Sequence, residues 1–283
     1  MRRRDFLQDW GKLGVAAIAS PALAQCGAAM PHFDQTPDKP QSFGYKVSWF
    51  AVKASDAASV LDALEFGGKT PANWASGLIA ADAIGVSQKS EPWVFTSPPV
   101  NGWVLVVGFW LPYPAAPTGP QAEIGKKFDV LFSRLMKRFD DVQFFGSYRV
   151  VDFVAWARAR NGKSGRVFAY ADGEVFANAG EQTPEEAKLR FANLTGLSPP
   201  NARDKIFKIA EEQEAEQNAL VARGLTPREA RARVRQNGRD ATPDEKDVVE
   251  LAALWSVDPT QLANQGHPPG VGLAARLPKH LMQ

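Results

Sequence analysis

The chain has one cysteine and three histidines in 283 residues. A single cysteine, Cys26, excludes an intramolecular disulfide and a cysteine-built zinc site, so stability has to come from a core. The histidines, His32, His267 and His280, lie near the two ends of the chain, where no expected element would hold an imidazole in fixed geometry. A catalytic triad or a histidine metal centre is not expected, and neither is a bound cofactor. Glycines are present, but Gly27, Gly44 and the Gly67-Gly68 pair lack the strand-to-helix setting of a phosphate loop or a dinucleotide fingerprint. No apolar run reaches the roughly 18 residues of a spanning helix. Catalysis by a pair of carboxylates is the enzyme class these shortages leave open, because it needs only Asp and Glu.

What is present begins with an address. Arg2-Arg3-Arg4-Asp5-Phe6-Leu7-Gln8 opens the chain, and a weakly apolar run with Leu13, Val15 and Ile18 ends in Ala22-Leu23-Ala24. This layout resembles a twin-arginine export signal at residues 1–24, with Arg3 and Arg4 as the pair and Phe6-Leu7 as the apolar doublet. The resemblance implies a bacterial protein that engages the twin-arginine export machinery transiently and crosses the inner membrane folded. It then works in the periplasm or outside the cell. Ala22 and Ala24 are the small residues a signal peptidase reads, and cleavage there leaves Gln25 first. Leu23-Ala24-Gln25-Cys26 also looks like a lipobox, except that Gln25 stands where a small residue is normal. Cleavage is the favoured outcome, and membrane attachment is expected only if Cys26 is acylated.

Removing the signal changes the charge. The chain has 33 basic and 31 acidic residues, and residues 1–24 hold four of the former and two of the latter, which leaves 29 of each. A neutral mature protein has no long-range pull on nucleic acid, and no nucleic-acid partner is expected.

The body reads as α+β. Residues 25–44, rich in Pro, Gln and Asp, suggest an extended tether. Strands are expected at Lys46 to Lys53, Trp93 to Thr96 and Trp103 to Leu111, the last apolar on both faces and so interior. Helices are expected from a Ser55 cap to Phe66, over Trp74 to Ile84, and from Ile124 to Phe139, where apolar residues recur at steps of three and four. Val142 to Tyr148, Val150 to Arg158 and Arg166 to Ala171 read as further strands. Asp172-Gly173 gives a two-residue hairpin signal, since both turn positions need positive φ. The order matches a ferredoxin-like sequence of strands and helices extended by a β-meander over residues 45–180. A helical C-terminal region, 181–264, follows. Thr183-Pro184, Thr226-Pro227 and Thr242-Pro243 each have Glu three residues after Thr, which predicts three capped helix starts. The final helix, Asp244 to Ser256, should bury Val248, Leu251, Ala252 and Trp255. Residues 265–283 read as a flexible tail.

Among candidate site residues, Asp152 comes first. It falls inside the expected strand from Val150, in line with Val154 and Trp156, and a buried carboxylate must be paired or protonated. An ion pair with Arg149, Arg158 or Arg166 is the structural alternative. Six of the eight tryptophans lie between residues 49 and 156. Most should be core, and Trp74 and Trp93, beside turn-like segments, are the ones expected to be exposed for binding, with Arg149 as a further contact. Six arginines from Arg223 to Arg239 are expected to pair with the acidic run Glu211, Glu212, Glu214 and Glu216 in the preceding helix.

Ala72-Asn73-Trp74-Ala75-Ser76-Gly77-Leu78, Pro98-Pro99-Val100-Asn101-Gly102-Trp103, Phe144 to Val151 and Trp255 to Pro259 resemble segments of a group of uncharacterised bacterial proteins with no assigned activity. By texture the body is similar to immunity or inhibitor proteins. The expected function is non-catalytic binding or inhibition in the periplasm, directed at a protein partner in the envelope. The alternative is an envelope hydrolase that uses carboxylates, with glycans as the expected substrate.

Overall fold

All six residues of Trp103–Gly108 are buried, as a strand apolar on both faces requires. It is the fourth of nine strands found among the described residues of the computed structural model, which are 31–82, 92–238 and 240–283. The export residues Arg3, Arg4, Phe6, Leu7, Ala22, Ala24 and Cys26, and the expected helix end at Ile84, lie outside them. The strands are β1 Ser48–Lys53, β2 Thr70–Asn73, β3 Trp93–Thr96, β4 Trp103–Gly108, β5 Asp141–Tyr148, β6 Phe153–Arg160, β7 Lys163–Ala171, β8 Glu174–Gly180 and β9 Val271–Arg276. They form one sheet in the order β2-β9-β3-β4-β1-β5-β6-β7-β8, antiparallel throughout.

Two helical layers cover the two faces. On one, α1 (Ala57–Leu64) and α3 (Ala122–Met136) pack Leu61, Leu64, Phe128 and Leu131 onto Phe50, Val104, Val106 and Phe144. On the other, α2 (Trp74–Ala81), α5 (Pro199–Ala222) and α7 (Glu245–Trp255) cover Trp49, Leu105, Val107, Phe145 and Phe168. Alternation along β4 sends Val106 to the first core and Val107 to the second. The remaining helices are α4 (Pro184–Lys188) and α6 (Pro227–Asn237).

Capping chemistry accounts for most helix starts. Thr183 with Glu186, and Thr226 with Glu229, form capping boxes as expected. The third start differs: Asp244, not Thr242, caps α7, with Asp247 completing the box. Asp56 likewise replaces Ser55 as the cap of α1. Between β7 and β8 the turn at Asp172-Gly173 has φ of 45° and 82°, the positive pair its sequence predicts.

Further expectations are corrected. Residues 265–283 are no loose tail, because they hold β9, inserted between β2 and β3. Gly272 permits this: a Cβ there would lie 2.2 Å from the Thr96 carbonyl oxygen. Residues 31–44, the described part of the expected tether, are fastened. The Asp38 carboxylate accepts from the amides of Trp74 (2.7 Å) and Ala75 (2.9 Å), capping α2 from outside, and Phe33 packs edge-on against Trp93. The strand expected from Val150 begins at Phe153, after one 3₁₀ turn, Arg149–Val151. The expected succession is also interrupted, as β2 and α2 intervene between α1 and β3.

Candidate binding cleft

α5 is 24 residues long, yet only Ala202 and Ile206 of it are buried. After its first turns it leaves the sheet, and α6 returns beside it with Ala230 and Val234 turned inward. At the base of this helical hairpin lies a cleft of about 550 Å³. One wall is the end of the sheet (Arg149, Asp152, Phe153 and Val154), and α5 supplies Ala210, Gln213, Glu214 and Gln217. α6 contributes Arg231, Val234 and Arg235, and the segment 240–245 closes the far side.

Most of the cleft's charges are committed to one another. Asp240 accepts from Arg235 Nε (3.0 Å) and from Arg231 Nη2 (3.4 Å). Its hydrogen bond from Arg235 holds its carboxyl below the ordinary aspartate range, against an opposing push from partial burial. A lowered folded-state pKa means this clasp is fully present above the ordinary aspartate pKa and is lost as pH falls through the depressed value. Arg149 reaches Glu245 at 3.5 Å. The Asp244 carboxylate is occupied by the amides of Lys246 and Asp247. Behind Thr242 of the cleft, burial raises the Tyr170 phenol, opposed by its hydrogen bond with Thr242.

Two of the sequence candidates, Asp152 and Arg149, therefore meet at one site. Their environment is not the expected one. Asp152 is exposed and sits at φ 50°, closing the 3₁₀ turn, so it is neither in a strand nor buried. The left-handed position suits aspartate, whose short side chain tolerates it. Arg149 is exposed too. The arginines offered as its partners are engaged elsewhere: Arg158 with Asp141 (2.9 Å) and Glu185 (3.6 Å), and Arg166 with Glu186 (2.9 Å). Because Asp152 has no buried counter-ion to lose, Asp152→Asn should leave the melting temperature within about 2 °C of wild type. A fall of many degrees would show that this carboxylate is structurally paired.

Trp74 and Trp93 are not exposed faces: their exposures are 0% and 8%. Trp74 tucks under Phe95, and Trp93 lies between Phe33 and the Arg276 guanidinium. Six tryptophans (49, 74, 93, 103, 156 and 255) share the second core, so their number reflects packing. The basic helix α6 does pack against α5, but Arg231 and Arg235 take Asp240 as their acid, while Glu212 lies 4.0 Å from Lys208 in its own helix. Sequence reasoning missed Asp240 and the buried acid Glu186. The only signal for Glu186 is its place in the capping box.

Among the described residues no group of three His, Cys, Asp or Glu side chains is arranged to hold a metal ion. No described helix is long and apolar enough to cross a membrane. Neither the known protein-family models nor the curated proteins or solved structures compared with the chain give a match.

Proposed function

We propose that this is an exported bacterial protein that binds and restrains a protein partner in the periplasm, in the manner of an immunity protein, without performing chemistry. The observation that carries this reading is the projecting α5–α6 hairpin, exposed along most of both helices, with a cleft at its base. Such a shape offers a partner a convex rod and a recess at once. Within the sheet we read β5-β1-β4-β3, with α1 and α3 on one face, as a ferredoxin-like unit extended by the β6–β8 meander. The export reading rests on Arg3, Arg4, Phe6 and Leu7 ahead of Ala22-Leu23-Ala24.

Affinity capture from the periplasm tests this. The tagged full-length chain should bring down one protein in near-stoichiometric amount. An Arg3→Lys, Arg4→Lys chain should be missing from that fraction. Normal accumulation of the double variant would refute the twin-arginine route, and capture without any partner would refute the binding role. One observation favours the hydrolase as a second reading: Asp152 and Glu214 line the same cleft. Glycan cleavage by the purified protein that is abolished in Asp152→Asn would replace the first reading with it.

A further inference from the structure

Five carboxylates and three guanidiniums line the cleft, a formal excess of two negative charges. The three guanidiniums are all engaged: Arg231 and Arg235 share Asp240, and Arg149 reaches Glu245. Asp244 caps the first turn of α7, and its charge offsets the second guanidinium of the Asp240 clasp, since it interacts with Arg235. The excess therefore resides on Asp152, at the sheet end, and Glu214, on α5, neither of which makes an ion pair among the described residues. Glu245 adds a carboxylate oxygen, Oε2, that is buried and has no hydrogen-bond partner. The same recess is also lined by apolar residues from three elements: Phe153 and Val154 at the sheet end, Ala210 on α5 and Val234 on α6.

A recess that joins apolar lining with unmatched negative charge suits a long cationic side chain. The methylene stem of a lysine or arginine would lie along Val154 and Val234 while its head reaches the carboxylates. A bare metal ion would make no use of the apolar lining, and an anion would meet the excess negative charge. We infer that the cleft receives a lysine or arginine side chain from a basic segment of the partner protein. This assignment rests on the binding reading above and names the chemistry that the partner must present.

The test titrates the mature protein with a tetralysine peptide, acetylated and amidated, at low salt, with tetraglutamate as the opposite-charge probe. Tetralysine should bind, and tetraglutamate should not. Asp152→Asn with Glu214→Gln should weaken tetralysine at least tenfold. Glu211→Gln with Glu212→Gln removes the same two charges from α5 outside the cleft and should change affinity less than twofold. All four positions are exposed, so both double variants are expected to melt with the wild type. Absence of tetralysine binding, equal loss in both double variants, or preference for tetraglutamate would each overturn the assignment. Failure here is separable from failure of the binding reading. A captured partner with no basic segment would refute only the cleft chemistry, whereas glycan turnover abolished in Asp152→Asn would refute the binding role and this assignment with it.

Discussion

Glu186→Gln should destabilise the protein by about 3–5 kcal/mol and lower its melting temperature by roughly 6–20 °C. The reason lies in how β6 and β7 are paired. Their register sets Arg158 directly opposite Arg166, and both side chains are buried. Two like charges facing each other across a sheet repel, so each needs its own acid. Asp141 on β5 matches Arg158 at 2.9 Å, with Glu185 of α4 farther off at 3.6 Å, and Glu186 of α4, 1% exposed, holds Arg166, 3% exposed. Glu186 also accepts from the Trp156 indole (2.9 Å) and from the Thr183 amide (2.7 Å). Every neighbour it touches here is a donor. A glutamine has one oxygen for these contacts and would turn an NH₂ group toward the rest. It would also leave Arg166 buried with only neutral acceptors, Asn178 and the carbonyls of Val167 and Ala179. Glu185→Gln is the control. Its partner lies at 3.6 Å and its side chain is 28% exposed, so the loss should stay below about 1 kcal/mol. Urea denaturation of both variants checks this, and a Glu186→Gln protein within 1 kcal/mol of wild type would refute the buried pair.

That pair shows why the site was only half legible. Thr183-Pro184-Glu185-Glu186 announces a helix start, and the start is there. Nothing local says that its third residue is turned into the core, because burial of Glu186 depends on where β6 and β7 have placed Trp156 and Arg166. Asp152 failed in the opposite way. Val150-Val151-Asp152-Phe153-Val154 has strand-like composition, but the chain turns at Arg149–Val151 and only then enters β6. The two valines are separated as a result: Val151 is buried and Val150 is 64% exposed. Asp152 nevertheless lines the cleft, which depends on the tertiary position of α5 and α6 and has no trace in its neighbours.

For the fold, legibility followed local strength. β4 carries its own evidence, six apolar or small residues bounded by an Asn-Gly turn, and α3 shows its stripe of Phe128, Leu131, Phe132 and Leu135. β2 and β9 carry almost none. Thr70-Pro71-Ala72-Asn73 includes a proline that removes a ladder donor, tolerable because β2 lies at the sheet's edge. Val271-Gly272-Leu273-Ala274-Ala275-Arg276 is small and glycine-containing, poor in intrinsic strand preference. It becomes a strand because β2 and β3 pair with it on either side. Tertiary context, supplied by contacts some 180–200 residues away in sequence, decides those two elements.

Val106→Asp should abolish folding, and it tests the centre of the architecture. Val106 is 0% exposed, on a strand flanked by β3 and β1, opposite Thr96 and Phe50. Its side chain faces the core formed with α1 and α3, whose members are hydrophobic. An aspartate there meets no cation in that core. It either stays charged at prohibitive cost or takes up a proton and remains a carboxylic acid among hydrocarbons. Adding the loss of the buried valine, the penalty is about 5 kcal/mol or more, comparable with the entire stability of many domains. The expected outcome is insoluble protein, or a soluble chain without a cooperative melt. Val150→Asp supplies the contrast. That valine, which its sequence places in a strand, is largely exposed on the 3₁₀ turn, and its replacement should shift stability by no more than about 0.5 kcal/mol. A cooperatively melting Val106→Asp protein would displace β4 from the sheet interior. A failed Val150→Asp protein would put residue 150 back into a buried strand, and with it Asp152.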